Sequence, residues 1–118
     1  MTFDDLVDLC GGLPAATADH PFGPGTLVFK VGGRIFALVA EEPPNGCSLK
    51  ARPDVIEDQR TAYPGAVGPA PYFHHAHWNR VDIGKVPSGE VAEWVEHSYR
   101  TVVAGLTRGT RADLGLDG

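Results

Sequence analysis

Apolar residues recur every three or four positions at the start of the chain, which is the spacing of one face of an α-helix. These positions are Phe3, Leu6, Val7 and Cys10. Thr2 and Asp5 have the spacing of a capping box, which opens a helix, and Gly11-Gly12 would end it. The pattern therefore predicts a first helix, and a short strand over residues 19–22 is expected after it.

The strongest pattern in the chain is that of a β-hairpin. Residues 26–31 and 34–40 read as strands, and Gly32-Gly33 between them suits a two-residue turn. A loop of that length fixes the register of the two strands. The expected partners are Val31 with Arg34, Phe29 with Phe36, and Leu27 with Leu38. These pairs would share one face and place Phe29, Phe36, Leu27 and Leu38 on the core side.

Further elements follow the hairpin. A strand is expected over residues 47–51, and a helix begins at Pro53, a residue that suits the first helical turn. The Gly/Pro-rich connector at 64–71 has room for a short strand, and residues 72–83 read as one strand or a bent pair. Ser88 would then cap a long helix with an apolar stripe. The stripe consists of Val91, Trp94, Val95, Tyr99, Val102, Val103 and Leu106.

The order of these elements is helix, three strands, helix, one or two strands, helix. It implies an α+β fold in two layers, with an antiparallel sheet and the helices on one of its faces. One domain should span residues 1–118, with residues from about 107 to 118 as a flexible tail. The expected core residues are Phe29, Phe36, Leu38, Trp94, Val95, Val102 and Leu106.

Composition limits the class of protein. The chain has 118 residues, of which 42% are hydrophobic, so it can bury a core without disulfides or a metal. Cys10 and Cys47 are too few for a disulfide framework and are expected to be buried thiols. The N-terminus is acidic and lacks the apolar stretch of a signal peptide, and no segment has the length of a membrane span. We therefore expect a cytoplasmic protein that does not contact a membrane.

The charge is distributed unevenly. Ten Lys and Arg residues against fifteen Asp and Glu residues give a net charge of −5, which argues against a protein that coats nucleic acid by bulk charge. Residues 26–52, however, hold Lys30, Arg34, Lys50 and Arg52 against two glutamates, a net charge of +2. This segment is either a polar contact surface or a set of charges that protects strand edges from pairing.

No pattern in the sequence predicts catalysis. On a strand, His75 and His77 would share a face, but a metal site would need a third ligand from elsewhere, so we expect no metal and no cofactor. His97 and Ser98 are adjacent on a helix and point about 100° apart, which prevents a hydrogen-bonded nucleophile–base pair. No phosphate-binding or nucleophile-elbow motif is present. The chain is expected not to be an enzyme.

Several segments together resemble the MmcQ/YjbR family. They are Pro21-Phe22-Gly23, VFKVGGRIFAL at 28–38, Ser48-Leu49-Lys50, Tyr72-Phe73, HWNRV at 77–81 and HSYRTVV at 97–103. The residues that carry most of the family's motif are His77, Trp78, Asn79, Ser98 and Tyr99. The resemblance implies a compact α+β domain, similar in fold to secretion chaperones, with a double-wing DNA-binding role and no catalytic residues or cofactor. His74-His75 replace the Lys or Asn often found before the motif, which weakens a basic surface there at neutral pH.

Three hypotheses remain open. In the first, the hairpin wings bind DNA through phosphate contacts from Lys30, Arg34, Lys50 and Arg52, joined by Arg80. In the second, the chain is a protein-interaction or chaperone-like module that binds no nucleic acid. The third is a small-molecule or metal site around His75, His77 and Trp78, although Trp78 and Asn79 are expected to be structural. One contiguous basic face would favour the first hypothesis, and scattered cations would favour the second.

Overall fold

The capping box at the N-terminus forms as expected. In the computed structural model, which describes residues 1–116, the Thr2 hydroxyl accepts from the Asp5 N–H and the Asp5 carboxylate accepts from the Thr2 N–H, both at 3.0 Å. Because Leu6 and Cys10 share one face of the helix that follows, they are buried. The first helix, α1, runs from Phe3 to Gly11.

The remaining elements follow in chain order. The strands are β1 (Thr17–Asp19), β2 (Thr26–Val31), β3 (Arg34–Ala40), β4 (Gly46–Lys50), β5 (Val67–Pro69) and β6 (Trp78–Asp82). The helices after α1 are α2 (Pro53–Ala62), α3 (Ser88–Ala104) and α4 (Arg108–Asp113). The described chain thus has one helix, α4, beyond the predicted elements, and β1 lies close to the short strand expected at residues 19–22.

The strands form one antiparallel sheet in the order β1-β2-β3-β4-β6-β5. Helix α3 packs across β2, β3 and β4, α1 packs on α3, and α2 packs beside β5 and β6. Tyr63 at the end of α2 meets Trp94 of α3 edge to face at 5.7 Å, so these two helices lie in one layer. The two-layer α+β fold is confirmed. No helix within residues 1–116 is long and apolar enough to cross a bilayer.

The hairpin forms, but its predicted register is wrong beyond the turn. Val31 pairs with Arg34 as expected, whereas Phe29 pairs with Ala37 and Leu27 pairs with Val39. The register shifts between Phe29 and Lys30, because β3 contains one extra residue, as in a β-bulge. Phe36 and Ala37 are consequently both buried on the helix side, and Leu38 points to the opposite face of the sheet.

Most of the predicted core is present. The residues confirmed as buried are Phe29, Phe36, Val95, Val102 and Leu106. Trp94 is only partly buried, because it packs against the outside of the core through Tyr63. Leu38 is half-buried and lies outside the core cluster, since the bulge turns it away from the helices. Cys10 and Cys47 are both buried and free, as expected.

Three boundaries differ from the sequence-based expectation. The first short strand is Thr17–Asp19 rather than 19–22, and β6 starts only at Trp78, so that residues 71–77 form turns. Ser88 does not cap α3, because Pro87 holds that position and the Ser88 hydroxyl instead accepts a hydrogen bond from the N-terminal amine at 2.9 Å.

The segment expected to be a flexible tail contains the short helix α4. Thr107 caps α4, and Arg111 in this helix donates to the Leu106 carbonyl at 2.9 Å and to the carbonyls of Val103 and Ala104. These carbonyls belong to the end of α3 and the turn after it, where carbonyl groups lack helical partners. The tail is therefore tied to α3 by a side chain. Residues 117–118 of the expected tail lie outside the described residues.

Candidate binding face

Within residues 1–116, one face of the sheet is not covered by helices, and we call it the open face. Its side chains alternate along each strand with those of the core. They are Thr17 and Asp19 on β1, Thr26, Val28 and Lys30 on β2, Ile35 and Leu38 on β3, Ser48 and Lys50 on β4, and Trp78, Arg80 and Asp82 on β6. The loops at 20–25 and 70–77 border this face, because they lead into β2 and β6.

A groove of about 490 Å³ lies on the open face between these loops. Its lining residues are Phe22, Thr26, Ile35, Leu38, Tyr72 and Phe73. The strand residues Ile35 and Leu38 contribute aliphatic side chains, and the two loops contribute aromatic rings. The volume lies within the range of ordinary ligand pockets, and the lining is mostly apolar, as is typical of binding sites.

Two of the aromatic rings of the groove are unusually exposed. Phe22 is 66% exposed, and Tyr72 is fully exposed. Tyr72 also has a φ of 69°, in the left-handed region that non-glycine residues rarely adopt. Such a conformation costs on the order of 1–2 kcal/mol, and the exposed ring returns no burial energy. Neither the fold's core nor its backbone therefore accounts for a tyrosine at this position.

Phe73 and Trp78 form the wall between the groove and the sheet. Their rings stack at 4.1 Å with an interplanar angle of 20°. Trp78 is only 9% exposed and does not line the groove, whereas Phe73 does. The indole thus supports Phe73 from beneath, a structural role, and the third hypothesis loses the ligand contact it assigned to Trp78.

Three of the five predicted cations lie on the open face. Lys30 pairs with Ile35 across β2 and β3, and Lys50 pairs with Trp78 across β4 and β6. The guanidinium of Arg80 lies over Gly46, where an added Cβ would come within 2.8 Å of it. Among residues 1–116, no ion pair joins any of these three cations to a carboxylate.

The other two predicted cations lie elsewhere. Arg34 pairs with Val31, which faces the helices, and its guanidinium lies near Gly105 at the end of α3. There its charge complements the negative end of the helix dipole. Arg52 precedes α2 and forms an exposed ion pair with Asp54 at 3.3 Å. The five residues therefore do not form one contiguous basic face.

The histidine run lies in turns rather than on a strand. The rings of His74 and His77 are 5.2 Å apart, and the His74 ring accepts from the Ala76 N–H at 3.1 Å. The carbonyl of His75 accepts from Arg60 at 2.6 Å, so this residue contributes its main chain to the fold. The expectation that His75 and His77 share a strand face is wrong, and within residues 1–116 no group of three ligand-type side chains converges.

Asn79 joins α2 to the sheet. It is fully buried, its amide donates to the Ile56 carbonyl at 3.1 Å and to Gln59 at 2.9 Å, and its oxygen accepts from Arg60 at 2.7 Å. Since a buried amide without partners would cost about 1–3 kcal/mol, these bonds fix its orientation. Asn79 and Arg60 together hold the 70–77 loop, and with it one wall of the groove.

Ser98 and Tyr99 also bond to the main chain. Ser98 is buried. Its hydroxyl donates to the Phe36 carbonyl at 2.5 Å and accepts from the Lys50 N–H at 2.9 Å. It thereby bridges β3 and β4 just past the Ala37–Leu49 pair, where the pairing of the two strands ends. The Tyr99 hydroxyl donates to the Pro14 carbonyl at 2.5 Å, and burial raises the pKa of this phenol.

His97 faces away from Ser98 and toward the start of α2. Its ring accepts a long hydrogen bond of 3.4 Å from the Arg52 N–H. Partial burial lowers the pKa of His97, the nearby cations Arg52 and Arg100 lower it further, and Asp54 opposes them. The neutral ring is therefore the form that fits this position, and it does not contact the Ser98 hydroxyl.

Sequence reasoning missed the groove. The sequence pattern assigns Phe22 to a short strand, Tyr72-Phe73 to a longer one and Leu38 to the core, whereas all four residues line the groove. The usable signal was an aromatic residue between turn formers, as in Pro21-Phe22-Gly23 and after Pro71. An aromatic ring in such a segment cannot follow a helical or strand period into the core, so it is a candidate for exposure.

Comparison with known proteins identifies the family to which this chain is similar. The YjbR family model matches residues 11–101. The uncharacterized protein YbdF of Escherichia coli O157:H7 is 31% identical over 98 residues, covering 81% of this chain and 80% of that protein.

Solved structures share the fold. The crystal structure of Deinococcus radiodurans protein DR2400, with a DUF419 domain, matches with a TM-score of 0.90 and 37% identity. The match covers 98% of this chain and 88% of the other. A crystal structure of a Pseudomonas syringae protein, at 20% identity and a TM-score of 0.74, covers 86% of this chain and 98% of its own and shows the same fold.

Proposed function

The chain belongs to the YjbR family, and we propose that it is a non-enzymatic binding module whose open face binds an apolar segment of another protein. The observation that carries this proposal is the groove with its exposed rings. Phe22 and Tyr72 expose large apolar surfaces beside Ile35 and Leu38, and contiguous exposed apolar patches on soluble proteins mark interaction sites.

The use of the family-motif residues supports a role without catalysis. The polar groups of Asn79, Ser98 and Tyr99 are all engaged in bonds to main-chain atoms or to neighbouring side chains. Trp78 lies beneath Phe73, and the His77 ring lies 5.2 Å from the ring of His74. Trp78 and Asn79 thus support the wall of the groove, and the polar groups of Asn79, Ser98 and Tyr99 are engaged within the fold.

The proposal can be tested with a designed peptide. We would titrate the isotope-labelled protein with an eight-residue peptide that alternates leucine and glutamine and follow the amide resonances by NMR. Binding in the groove should shift the resonances of Thr26, Ile35 and Leu38. A control peptide with serine in place of leucine should cause no shifts, because the apolar contact is absent.

Matched variants locate the contact. The double variant Phe22→Ser with Tyr72→Asn should fold normally, because both side chains are exposed, and it should lose peptide binding. The control is Leu114, a large apolar residue that is also exposed but lies at the end of α4, outside the groove. The Leu114→Ser variant should bind the peptide like the parent protein. Shifts confined to residues outside the groove, or no shifts at all, would contradict the proposal.

A second candidate function is nucleic-acid binding, and the three cations on the open face favour it. Lys30, Lys50 and Arg80 share that face with the fully exposed ring of Tyr72, and stacking rings beside cations are typical of surfaces that bind single strands. The β2–β3 hairpin gives less support to DNA binding by wings, because Lys30 and Arg34 point to opposite faces of the sheet. Anisotropy titrations with single-stranded and duplex oligonucleotides distinguish this candidate from protein binding.

A further inference from the structure

We infer that the segment bound in the groove is acidic as well as apolar, with carboxylates that contact Lys30 and Lys50 on either side of an apolar anchor; this rests on the proposed function. The floor of the groove at Ile35 lies between these two lysines in the sheet. Lys30 of β2 is the direct partner of Ile35, and Lys50 lies on β4, the next strand beyond β3.

The spacing of the sheet sets the spacing of the charges. Adjacent paired strands lie about 4.8 Å apart. Because β3 lies between Lys30 and Lys50, and the Ser98 hydroxyl separates β3 from β4 at this level, the two backbone positions are at least about 10 Å apart. Both lysines are half-buried, and their long side chains are flexible enough for the ammonium groups to reach a segment that rests on Ile35 and Leu38. An apolar side chain of the bound segment that rests on Ile35 and Leu38 can therefore be flanked by two anionic groups of the same segment.

The acidic groups around the open face are mostly engaged elsewhere. Glu41 contacts His20 at 2.9 Å and accepts from the Gly25 N–H at 3.2 Å. Asp82 accepts from the Gly84 N–H and lies 3.9 Å from the Lys85 ammonium. Asp19 pairs with Val28 on the edge strand β1 and therefore lies on the open face, but among residues 1–116 no ion pair joins it to Lys30 or Lys50. The cations nearest the groove are thus available to a partner.

The same charges favour a peptide over a polyanion. The chain carries a net charge of −5, so a long nucleic acid would meet repulsion from the rest of the surface. A short segment with a few carboxylates would contact only the local cations. Charge complementarity at the rim and apolar lining in the centre together describe an extended acidic-apolar peptide.

The test compares three eight-residue peptides that share leucine at alternate positions and carry glutamate, glutamine or lysine between them. At low salt, the glutamate peptide should bind about 5-fold more tightly than the glutamine peptide, the ratio that two exposed ion pairs of ordinary strength give. The lysine peptide should bind more weakly than both. The advantage of glutamate should shrink at about 0.5 M salt, because salt screens exposed charges.

The double variant Lys30→Glu with Lys50→Glu should reverse the order of the glutamate and lysine peptides. Arg108→Glu, an exposed cation on α4, is the matched control and should leave the order unchanged. Equal affinity for the glutamate and glutamine peptides would overturn this inference and leave the proposed function standing. Failure of all three peptides to bind would contradict the proposed function itself.

Discussion

At the scale of single residues, the fold depends on buried polar side chains that complete main-chain hydrogen bonds. Ser98 bonds to Phe36 and Lys50 beyond the last β3–β4 pair, and Asn79 bonds to the Ile56 carbonyl of α2. Buried main-chain groups without partners are costly, so each of these side chains supplies a bond that neither the sheet nor the helix provides by itself.

Phe36 and Leu38 lie two residues apart on β3, and their truncation should have very different costs. Phe36 is fully buried and meets Tyr99 edge to face at 5.4 Å, so Phe36→Ala should lower the free energy of unfolding by about 3–5 kcal/mol. Leu38 lines the open groove, so Leu38→Ala should cost about 1 kcal/mol or less. Urea unfolding measures both, and similar costs would contradict the observed register.

His97 should make stability depend on pH. Its pKa is lowered in the folded state, mainly by partial burial, so the unfolded chain binds a proton more readily. This contribution to stability is fully present above about pH 6.5, the ordinary histidine value, and is lost as the pH falls below it. Melting temperatures between about pH 7.5 and 5.5 should therefore fall more steeply for the parent protein than for His97→Gln. Parallel curves for the two proteins would exclude this role.

At the scale of secondary-structure elements, two contacts near the end of α3 show how helices and sheet are joined. The hairpin turn at Gly32-Gly33 packs beneath Leu106, and Arg111 of α4 bonds to carbonyls at the end of α3. The turn residues suit a two-residue hairpin because both have positive φ values, which glycine adopts without strain. A turn and a short helix thus both secure the same helix end.

The two turn glycines should differ in their tolerance of alanine. Both Gly32→Ala and Gly33→Ala place a Cβ at positive φ, which costs about 1–2 kcal/mol. At Gly32 the new Cβ would also lie 2.7 Å from Leu106 Cδ1, whereas at Gly33 it would meet nothing within 4 Å. Gly32→Ala should therefore lower the free energy of unfolding more than Gly33→Ala does in chemical denaturation. Equal losses would mean that Leu106 moves aside freely.

Arg111 should stabilise the end of α3. Its guanidinium donates to the carbonyls of Val103, Ala104 and Leu106, so Arg111→Ala should cost about 1 kcal/mol and speed amide exchange in the last turn of α3. Arg108 is exposed on the same short helix, and Arg108→Ala serves as the control with unchanged exchange. Identical exchange rates in both variants would show that α4 does not support α3.

At the scale of the whole molecule, the two faces of the sheet have different roles: one forms the core and the other carries the candidate binding site. The helices cover one face and form the core with it, while the other face carries the groove and three cations. The distribution of cations and the position of the groove are therefore set by which face of the sheet a residue lies on, and not by where it lies in the sequence. The basic segment seen in the sequence is divided between these two sides.

This division limits how the protein can bind duplex DNA. Only Lys30, Lys50 and Arg80 of the five proposed phosphate contacts share a face, so the log–log salt dependence of any binding should have a slope no steeper than roughly −2.7. Lys50→Glu should weaken such binding, whereas Arg34→Glu should not, because Arg34 lies beside α3. Anisotropy titrations across salt concentrations measure the slope, and a steeper one would relocate the interface.

The sequence by itself determined the elements whose signals are local. The capping box of α1, the start of α2 at Pro53, the hairpin turn at Gly32-Gly33 and the stripe of α3 each depend on residues close together in the chain. Such patterns follow directly from helix and strand periodicity, and the fold class follows from their order.

Only the tertiary structure decided the hairpin register and the candidate site. The extra residue in β3 shifts the hairpin register, and beside it the Phe36 carbonyl accepts a hydrogen bond from Ser98, 62 positions away. That shift moves Leu38 from the core to the groove, where it meets Phe22 and Tyr72 from two separate loops. No local period encodes contacts between residues so far apart in the chain, because they form only when the sheet brings its strands together.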